Sequence, residues 1–241
     1  MSRKNASDYT APAVLLLHGF GGGPWEVEPL AEALRAEGCL AAVPTIRGLS
    51  GSSRREMGRC SYEDWIYAAE QAYKALRKQS DSIVLAGFST GGLIAVHLAL
   101  KYKPAAVIFM SVPLRHWDLK RVMTNLAVDF KYKRTDHLRY YMKSAVKFPL
   151  RALLEFKRIQ MRTKSRFGQL NCPCLILQGL DDDTVHWKSA ERIRSGIQSA
   201  APKPDVTLDY FEPAGHVLLH GPAGRQVIQR ILKFLRDSCI L

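Results

Sequence analysis

A serine lies between two glycines at the point where an apolar run gives way to a helical pattern. Residues 83–86 are apolar, Gly87, Ser89 and Gly91 follow, and residues 93–98 continue as a mostly apolar, helix-like segment. A strand that turns directly into a helix leaves little room for side chains beside the turn, so glycine is favoured on both sides. The pattern predicts that Ser89 projects from a strained turn at a helix N-terminus, where backbone N–H groups favour negative charge.

A serine hydroxyl at neutral pH needs a general base to become a nucleophile, and the base needs a third group to orient it. Both groups occur downstream, each after an apolar run that predicts a strand. Residues 174–178 precede the three aspartates 181–183, and residues 206–210 precede His216. Loops that leave the carboxyl ends of parallel strands meet at one edge of a sheet. Ser89, one of the aspartates and His216 are therefore expected to converge, although spacing alone does not separate the three aspartates.

A glycine-rich segment, His18 to Gly23, follows the first predicted strand at residues 13–17. Such a turn lets the backbone approach a substrate and direct an N–H at it. The N–H of Phe20, with that of Thr90, would form an oxyanion hole. A phosphate-binding loop is the alternative interpretation. It is disfavoured because the glycines lack the G-x-G-x-x-G spacing and the chain contains no G-x-x-x-x-G-K-[ST].

With these parts in place, the chain resembles the α/β-hydrolase superfamily, and within it small bacterial carboxylesterases and monoacylglycerol lipases. The resemblance rests on HGFGG at 18–22, GFSTGG at 87–92, G-x-x-D-x-x-V at 179–185 and GHV at 215–217. One departure is visible at residues 47–51, RGLSG, where relatives often carry a Gly-His-Gly turn. That loop is expected to shape the site differently.

The resemblance assigns roles to five residues. They are the nucleophile Ser89, the triad acid Asp182, the base His216, and the oxyanion donors Phe20 and Thr90. Asp182 is chosen among its neighbours by the G-x-x-D-x-x-V pattern alone. The implied activity is hydrolysis of short- to medium-chain esters or monoacylglycerols, small-molecule substrates, without a cofactor or metal ion. Thioesterases, amidases, lactonases and acyltransferases use the same groups, and a non-catalytic binding protein of this fold is the remaining alternative.

Apolar runs alternate with amphipathic segments, which predicts an α/β fold with a mostly parallel central sheet flanked by helices. Helices are expected near 25–37 and 62–79, and further strands near 39–43 and 105–110. At 241 residues and 47% hydrophobic composition, the chain can bury a large core as one α/β-hydrolase domain over 1–241.

The alternation of strands and helices stops between about 113 and 168, after the strand near 105–110. This stretch has no convincing buried strand and contains helix-like pieces at 119–130 and 150–161. Roughly 55 residues leave little core of their own. We therefore expect a helical cap, or lid, over the catalytic edge of the sheet.

Nearly all of the formal net charge of +13 comes from this cap, where Lys and Arg outnumber Asp and Glu by more than three to one. The clustered basic residues are Lys131, Lys133, Arg134, Lys157, Arg158, Arg162, Lys164 and Arg166. A positive cap can attract anionic substrates or anionic membrane surfaces. A solvated helical face is the simpler interpretation. Nucleic acid is disfavoured because no recognised nucleic-acid module accompanies the charge.

Composition also bears on the compartment. Residues 1–12 lack the apolar stretch of a secretory signal, and no apolar run approaches the ~18 residues that span a bilayer. Five cysteines, an odd number, suit a reducing compartment. Cys172 and Cys174 lack the second pair that a structural zinc site needs. The chain is expected to be cytoplasmic, and its oligomeric state is left open.

Several aromatic and imidazole side chains remain as further candidates. Trp25 follows the glycine-rich loop and Trp117 opens the cap, so both are candidates for an acyl-binding pocket, with ordinary packing as the alternative. His18 is expected to brace the glycine-rich loop. His97 and His186 are interpreted as a packed helix residue and a neighbour of the acid, not as the base.

Overall fold

A computed structural model describes residues 11–114, 148–202 and 204–241. Within these residues six strands form a single sheet; they are β1 Ala13–Leu17, β2 Leu40–Ala42, β3 Ile83–Phe88, β4 Ala106–Met110, β5 Cys174–Gly179 and β6 Val206–Phe211. The helices in the same ranges are α1 Glu28–Ala36, α2 Arg54–Met57, α3 Tyr62–Arg77, α4 Thr90–Tyr102, α5 Leu150–Lys164, α6 Lys188–Gln198 and α7 Gly224–Asp237. Short 3-10 turns occupy Pro24–Glu26 and Phe167–Gln169.

The described strands lie in the order β2-β1-β3-β4-β5-β6, and every neighbouring pair is parallel. Strands β1, β3, β4 and β5 are buried along their whole length. Such burial explains why they occur in the sequence as continuous apolar runs, since both faces of a parallel sheet are covered by helices. The predicted α/β architecture is confirmed.

Alternate residues of the strands enter two separate cores. On one face, Leu15, Leu85 and Phe109 pack with helices α3, α4 and α6. On the other, Leu16 and Ile108 pack with α1 and α7. This two-residue period follows from strand geometry, in which successive side chains point to opposite faces.

The first predicted helix differs from the structure in its beginning. Instead of one helix near 25–37, a 3-10 turn at Pro24–Glu26 precedes α1 at Glu28–Ala36. Proline lies at the start of both pieces, and because it lacks an N–H it fits only the first turn of a helix. The predicted strand near 39–43 is shortened to the three residues of β2.

Only part of the predicted cap can be compared with the structure. Its residues 115–147, which include the helix-like piece 119–130, lie outside the described residues. The piece predicted at 150–161 is the helix α5, which packs against α3 and α4. The cap, and the single domain over 1–241, stay predictions. Within the described ranges, none of the helices has the length and apolar character to cross a membrane.

Candidate active site

Ser89 lies at the junction between β3 and α4, so the predicted strand–turn–helix is confirmed. Its backbone has φ 50° and ψ −120°, a region that is costly for a residue with a side chain. Two hydrogen bonds hold this conformation. The Ser89 N–H donates to the Met110 carbonyl at 2.8 Å, and the Ser89 carbonyl accepts from the Gly92 N–H at 3.0 Å.

The glycines beside Ser89 are required by close backbone approaches. A Cβ at Gly87 would lie 2.4 Å from the Gly92 Cα, and a Cβ at Gly91 would lie 2.2 Å from the Leu17 carbonyl oxygen. Any larger residue at these positions would separate β3 from α4, or α4 from β1. The reason given for these glycines from the sequence is therefore correct.

Asp182 and His216 meet at the carboxyl ends of β5 and β6. The His216 Nδ1 lies 2.9 Å from the Asp182 Oδ2, and the Asp182 carboxyl group is fully buried. Since an ionised carboxylate can only accept, Nδ1 carries the proton and leaves Nε2 of the neutral ring as an acceptor. Gln178 donates to the same Oδ2 at 3.0 Å, and the amides of Thr184 and Val185 donate to Oδ1 at 2.9 and 2.7 Å.

The two neighbouring aspartates are engaged elsewhere. Asp181 accepts the Ala214 N–H at 3.1 Å and so ties its loop to the segment before His216. Asp183 is exposed and accepts the Thr184 hydroxyl at 3.0 Å. Among the contacts that the structure describes, Asp182 is thus the one aspartate of the three on the imidazole. This supports the position that the sequence pattern selected.

His216 and the glycine-rich loop both reach the strand end that carries Ser89. The His216 ring packs against that of Phe88, the residue before Ser89, with centroids 5.0 Å apart. From the opposite direction, a Cβ at Gly19 would lie 3.2 Å from the Ser89 Cβ. The residues selected from the sequence therefore share one rim of the sheet.

The His18 side chain connects the glycine-rich loop to the segment that contains Ile46. Its Nδ1 lies 2.9 Å from the Gly19 carbonyl oxygen, and its Nε2 accepts the Ile46 N–H at 3.1 Å. The acceptor role of Nε2 assigns the proton to Nδ1. The side chain is fully buried, and burial lowers the pKa of the imidazole, with the bond to Gly19 opposing the change. The neutral ring is a structural brace, as the sequence suggested.

The unusual RGLSG segment, residues 47–51, packs against the glycine-rich loop. The Gly21 N–H donates to the Leu49 carbonyl at 2.8 Å, and the Gly51 N–H donates to the Gly22 carbonyl at 2.9 Å. These two hydrogen bonds hold the backbone of Gly21 and Gly22, which follow Phe20. They are the contacts by which residues 47–51 can shape the site.

The backbone N–H groups of Phe20 and Thr90 have no hydrogen-bond partner within the described part of the chain. Thr90 is the first residue of α4, and the first N–H groups of a helix lack intrahelical acceptors. Phe20 lies in a loop where the neighbouring peptide groups are paired. An oxyanion hole requires N–H groups without partners, and here one follows Ser89 directly while the other is next to Gly19, which approaches the serine.

The Phe20 side chain forms an aromatic cluster that sequence reasoning missed. Its ring lies 5.9 Å from Trp65, 5.0 Å from Phe148 and 5.6 Å from Phe156 between centroids. Phe156 belongs to α5 and Phe148 precedes it, so this segment touches the glycine-rich loop. No signal in the sequence pointed to this, because Phe20, Trp65 and the segment with Phe148 and Phe156 are far apart in the chain.

The remaining tryptophan and histidine candidates from the sequence lie at different places in the chain. Trp25 is 54% exposed and packs edge-on against His220, whose Nε2 donates to the Trp25 carbonyl at 2.7 Å. Its role in substrate binding stays a prediction, and Trp117 lies outside the described residues. His97 Nε2 lies 2.9 Å from the Thr163 hydroxyl and links α4 to α5. His186 Nδ1 accepts the Lys188 N–H at 3.1 Å.

Cysteine thiolates are common metal ligands, so the surroundings of the five cysteines bear on a metal site. All five are free thiols, and the Cys174 thiol donates to the Cys172 carbonyl oxygen, 3.3 Å away. Across residues 11–114, 148–202 and 204–241, no three His, Cys, Asp or Glu side chains are grouped as a metal site would require.

Comparison with known proteins gives a consistent set of similarities. The alpha/beta hydrolase family matches residues 14–230. A thermostable monoacylglycerol lipase of Bacillus sp. (strain H-257) is 29% identical over 219 residues, 83% of this chain and 85% of the lipase. A carboxylesterase of Bacillus subtilis (strain 168) is 25% identical over 231 residues, 92% of each chain. A solved structure from the work on LipS and LipT, two metagenome-derived lipolytic enzymes, has a TM-score of 0.77 at 21% identity and covers 95% of this chain and 94% of its own.

Proposed function

Because the chain belongs to the alpha/beta hydrolase family, we propose that it is a serine hydrolase that cleaves carboxylic esters through a covalent acyl-enzyme. A carboxylic ester hydrolase is also what the names of the two Bacillus relatives support. The substrates that we propose are short- to medium-chain acyl esters or monoacylglycerols.

The observation that carries this proposal is the contact between His216 Nδ1 and Asp182 Oδ2, 2.9 Å long, on the same rim as Ser89. A buried carboxylate that accepts from Nδ1 fixes both the orientation and the tautomer of the ring. The free Nε2 is then the atom that can take a proton from a serine hydroxyl. A binding protein would have no need of this pair.

In the proposed acylation, the Ser89 Oγ attacks the carbonyl carbon of the ester while His216 Nε2 takes the hydroxyl proton. The carbonyl oxygen becomes an oxyanion and accepts hydrogen bonds from the N–H groups of Phe20 and Thr90. When the tetrahedral intermediate collapses, the bond to the leaving oxygen breaks and His216 returns the proton to that oxygen. The alcohol departs, and the acyl group stays on Ser89.

Deacylation repeats these steps with water as the nucleophile. His216 takes a proton from water as the water oxygen attacks the acyl carbon, and then returns it to the Ser89 Oγ, releasing the carboxylic acid.

The rings of Phe20, Phe148 and Phe156 form an apolar surface beside the oxyanion donors. We assign this surface to contact with the acyl chain.

The basic residues of the cap extend the proposal to the charge of the substrate. Lys131, Lys133 and Arg134 lie outside the described residues, whereas Arg162 and Lys164 are exposed on α5. Their field would draw anionic substrates or anionic lipid surfaces towards the site. Arg158 takes a smaller part, because it pairs with the buried carboxylate of Glu155.

Ser89→Ala tests the nucleophile. Removing a triad member costs on the order of 10⁴ to 10⁶ in kcat, so we expect near-complete loss of p-nitrophenyl butyrate hydrolysis and of fluorophosphonate labelling. Ser111→Ala is the matched control, because Ser111 also follows a strand end with positive φ and is fully buried. Retention of more than about a tenth of the activity by Ser89→Ala would refute the proposal.

A substrate panel then defines the ester class. We expect p-nitrophenyl esters of two to about ten carbons and monoacylglycerols to be turned over faster than matched thioesters and anilides. Faster turnover of the thioester or the anilide would reassign the substrate while leaving the serine mechanism in place.

A further inference from the structure

Glu26 is a buried carboxylate with no role in the mechanism described above. It ends the 3-10 turn that follows the glycine-rich loop, and only 7% of the residue is exposed. Its Oε2 accepts the Gly19 N–H at 2.8 Å and the Gly23 N–H at 3.3 Å. Burying a carboxylate is costly unless hydrogen bonds compensate, and here the compensating donors are the two ends of the loop that contains Phe20.

The loop is shaped around this carboxylate. A Cβ at Gly22 would lie 2.1 Å from the Glu26 Oε2 and 2.2 Å from its Cδ, so the carboxylate occupies the space that a side chain at this position would need. A Cβ at Gly19 would lie 3.3 Å from the same oxygen and 3.2 Å from the Ser89 Cβ. The backbone of Gly19 is therefore held between the carboxylate and the serine.

The pKa of the Glu26 carboxyl group lies above its ordinary value, because burial outweighs the groups that stabilise its charge. Burial raises the pKa of Glu26, while the amides of Gly19 and Gly23 lower it, as do the imidazoles of His216 and His220. An acceptor-only carboxylate satisfies both amides at once, and these bonds leave the Phe20 N–H between them without a partner among the described residues.

We propose that Glu26 is a positioning residue, whose carboxylate holds the Gly19 and Gly23 amides so that the Phe20 N–H between them points at the oxyanion. The inference rests on the proposed function, because it needs an oxyanion at Ser89. Loss of one oxyanion donor costs about 10² to 10³ in kcat, and displacement by about 1 Å can cost about 10²-fold. The effect of Glu26 falls on the transition state, where the oxyanion forms, and not on substrate binding.

The experiment compares Glu26→Ala, Glu26→Gln and the control Glu32→Ala, an exposed carboxylate on α1. Active sites are titrated with a fluorophosphonate, so that kcat refers to folded enzyme. We expect Glu26→Ala to lower kcat on p-nitrophenyl butyrate about 10²-fold with KM changed less than about threefold. Glu26→Gln keeps one acceptor oxygen and should lose about tenfold or less. Glu32→Ala should stay within about twofold of wild type, as is usual for a surface substitution.

Inhibition by a trifluoromethyl ketone with the same acyl chain supplies a readout that a merely structural role would not move. Its adduct with Ser89 places an oxyanion in the site. The Ki should therefore rise in Glu26→Ala by about the same factor by which kcat falls. Gly22→Ala gives an independent test, because the added Cβ displaces the carboxylate without removing it. We expect kcat to fall and Ki to rise by similar factors there too.

Three outcomes separate the hypotheses. If Ser89→Ala abolishes turnover while Glu26→Ala and Gly22→Ala keep wild-type kcat and Ki per titrated site, the inference on Glu26 is wrong and the proposed function stands. A fall in kcat with an unchanged Ki likewise overturns the positioning role. If Ser89→Ala keeps turning over the ester, the proposed function itself fails.

Discussion

The loops on the two sides of Ser89 supply different kinds of groups. Those after β5 and β6 bring side chains, with Asp182 and His216 in direct contact at 2.9 Å. The loop after β1 brings a backbone N–H, that of Phe20, and surrounds it with peptide groups that are bonded to other parts of the chain. One side depends on which residues are present, and the other depends on how the backbone is held.

This difference predicts how each side responds to substitution. On the side of Asp182 and His216, a substitution that changes one side-chain atom can remove a chemical step while the surrounding structure stays the same. On the backbone side no substitution except proline removes the N–H itself, so side-chain substitutions change activity through the neighbours that fix the loop.

The largest effect is expected for Asp182→Asn. The amide cannot hold the His216 ring in the required tautomer, so kcat should fall by about 10³-fold or more. Asp181→Asn and Asp183→Asn should lose less than about tenfold, because these carboxylates bond to Ala214 and Thr184 and not to the imidazole. Steady-state kinetics on p-nitrophenyl butyrate measures all three. A larger loss at Asp181 or Asp183 would show that the acid was assigned to the wrong residue.

The second prediction concerns the backbone side. A Cβ at Gly51 would lie 2.1 Å from the Gly21 carbonyl oxygen, so Gly51→Ala must displace the glycine-rich loop. We expect kcat per titrated site to fall about 10²-fold, since a misplacement of about 1 Å has effects of this size. Gly221→Ala, beyond His216, is the control, because an added Cβ there meets no atom within 4 Å. Equal losses of kcat in Gly51→Ala and Gly221→Ala would show that the position of the glycine-rich loop does not determine activity.

Two histidines give a third test, with stability as the measurement. His18→Asn leaves the Ile46 N–H without its acceptor and should lower the free energy of unfolding by about 1–3 kcal/mol. His216→Asn should abolish turnover while changing the free energy of unfolding by less than about 1 kcal/mol. Urea denaturation distinguishes them, and a reversed pattern would contradict the roles of brace and base.

His18 also predicts a pH dependence of stability. Burial lowers its pKa below the ordinary value of about 6.5, so the unfolded chain binds the additional proton first as pH falls. The stability contributed by neutral His18 is present above about pH 6.5 and is lost as pH decreases towards the folded pKa. His18→Asn should remove this part of the dependence between pH 8 and 5, whereas an unchanged slope would show that His18 does not cause it.

The smallest effect concerns the basic residues of the predicted cap, which belong to neither of the two sides compared above. Raising salt from ~0.02 to ~0.5 M shortens the Debye length from roughly 20 Å to a few ångströms. For an anionic ester, kcat/KM should fall about threefold, and a neutral ester of equal size should hardly respond. Arg162→Gln combined with Lys164→Gln should reduce the difference. The same salt response for both esters would leave the basic residues as a solvated face.

Predictability from sequence follows the same division. The turn at Ser89 and its glycines could be predicted because strand, turn and helix are contiguous and each requirement is local. The acid required the family resemblance, since nothing local distinguishes Asp182 from its neighbours. The structure supplies the reason for the choice: the amides of Thr184 and Val185 and the side chain of Gln178 converge on this carboxylate.

The sequence by itself determined the parallel sheet, the strained serine turn and the loops on which acid and base lie, because apolar periodicity and glycine placement act over short distances. Only the tertiary structure decided that Glu26 is buried while Glu32, six residues along, is exposed. It also decided that Phe148 and Phe156 reach Phe20. Burial and ring contacts depend on which distant segments pack together, and that information is spread over the whole chain.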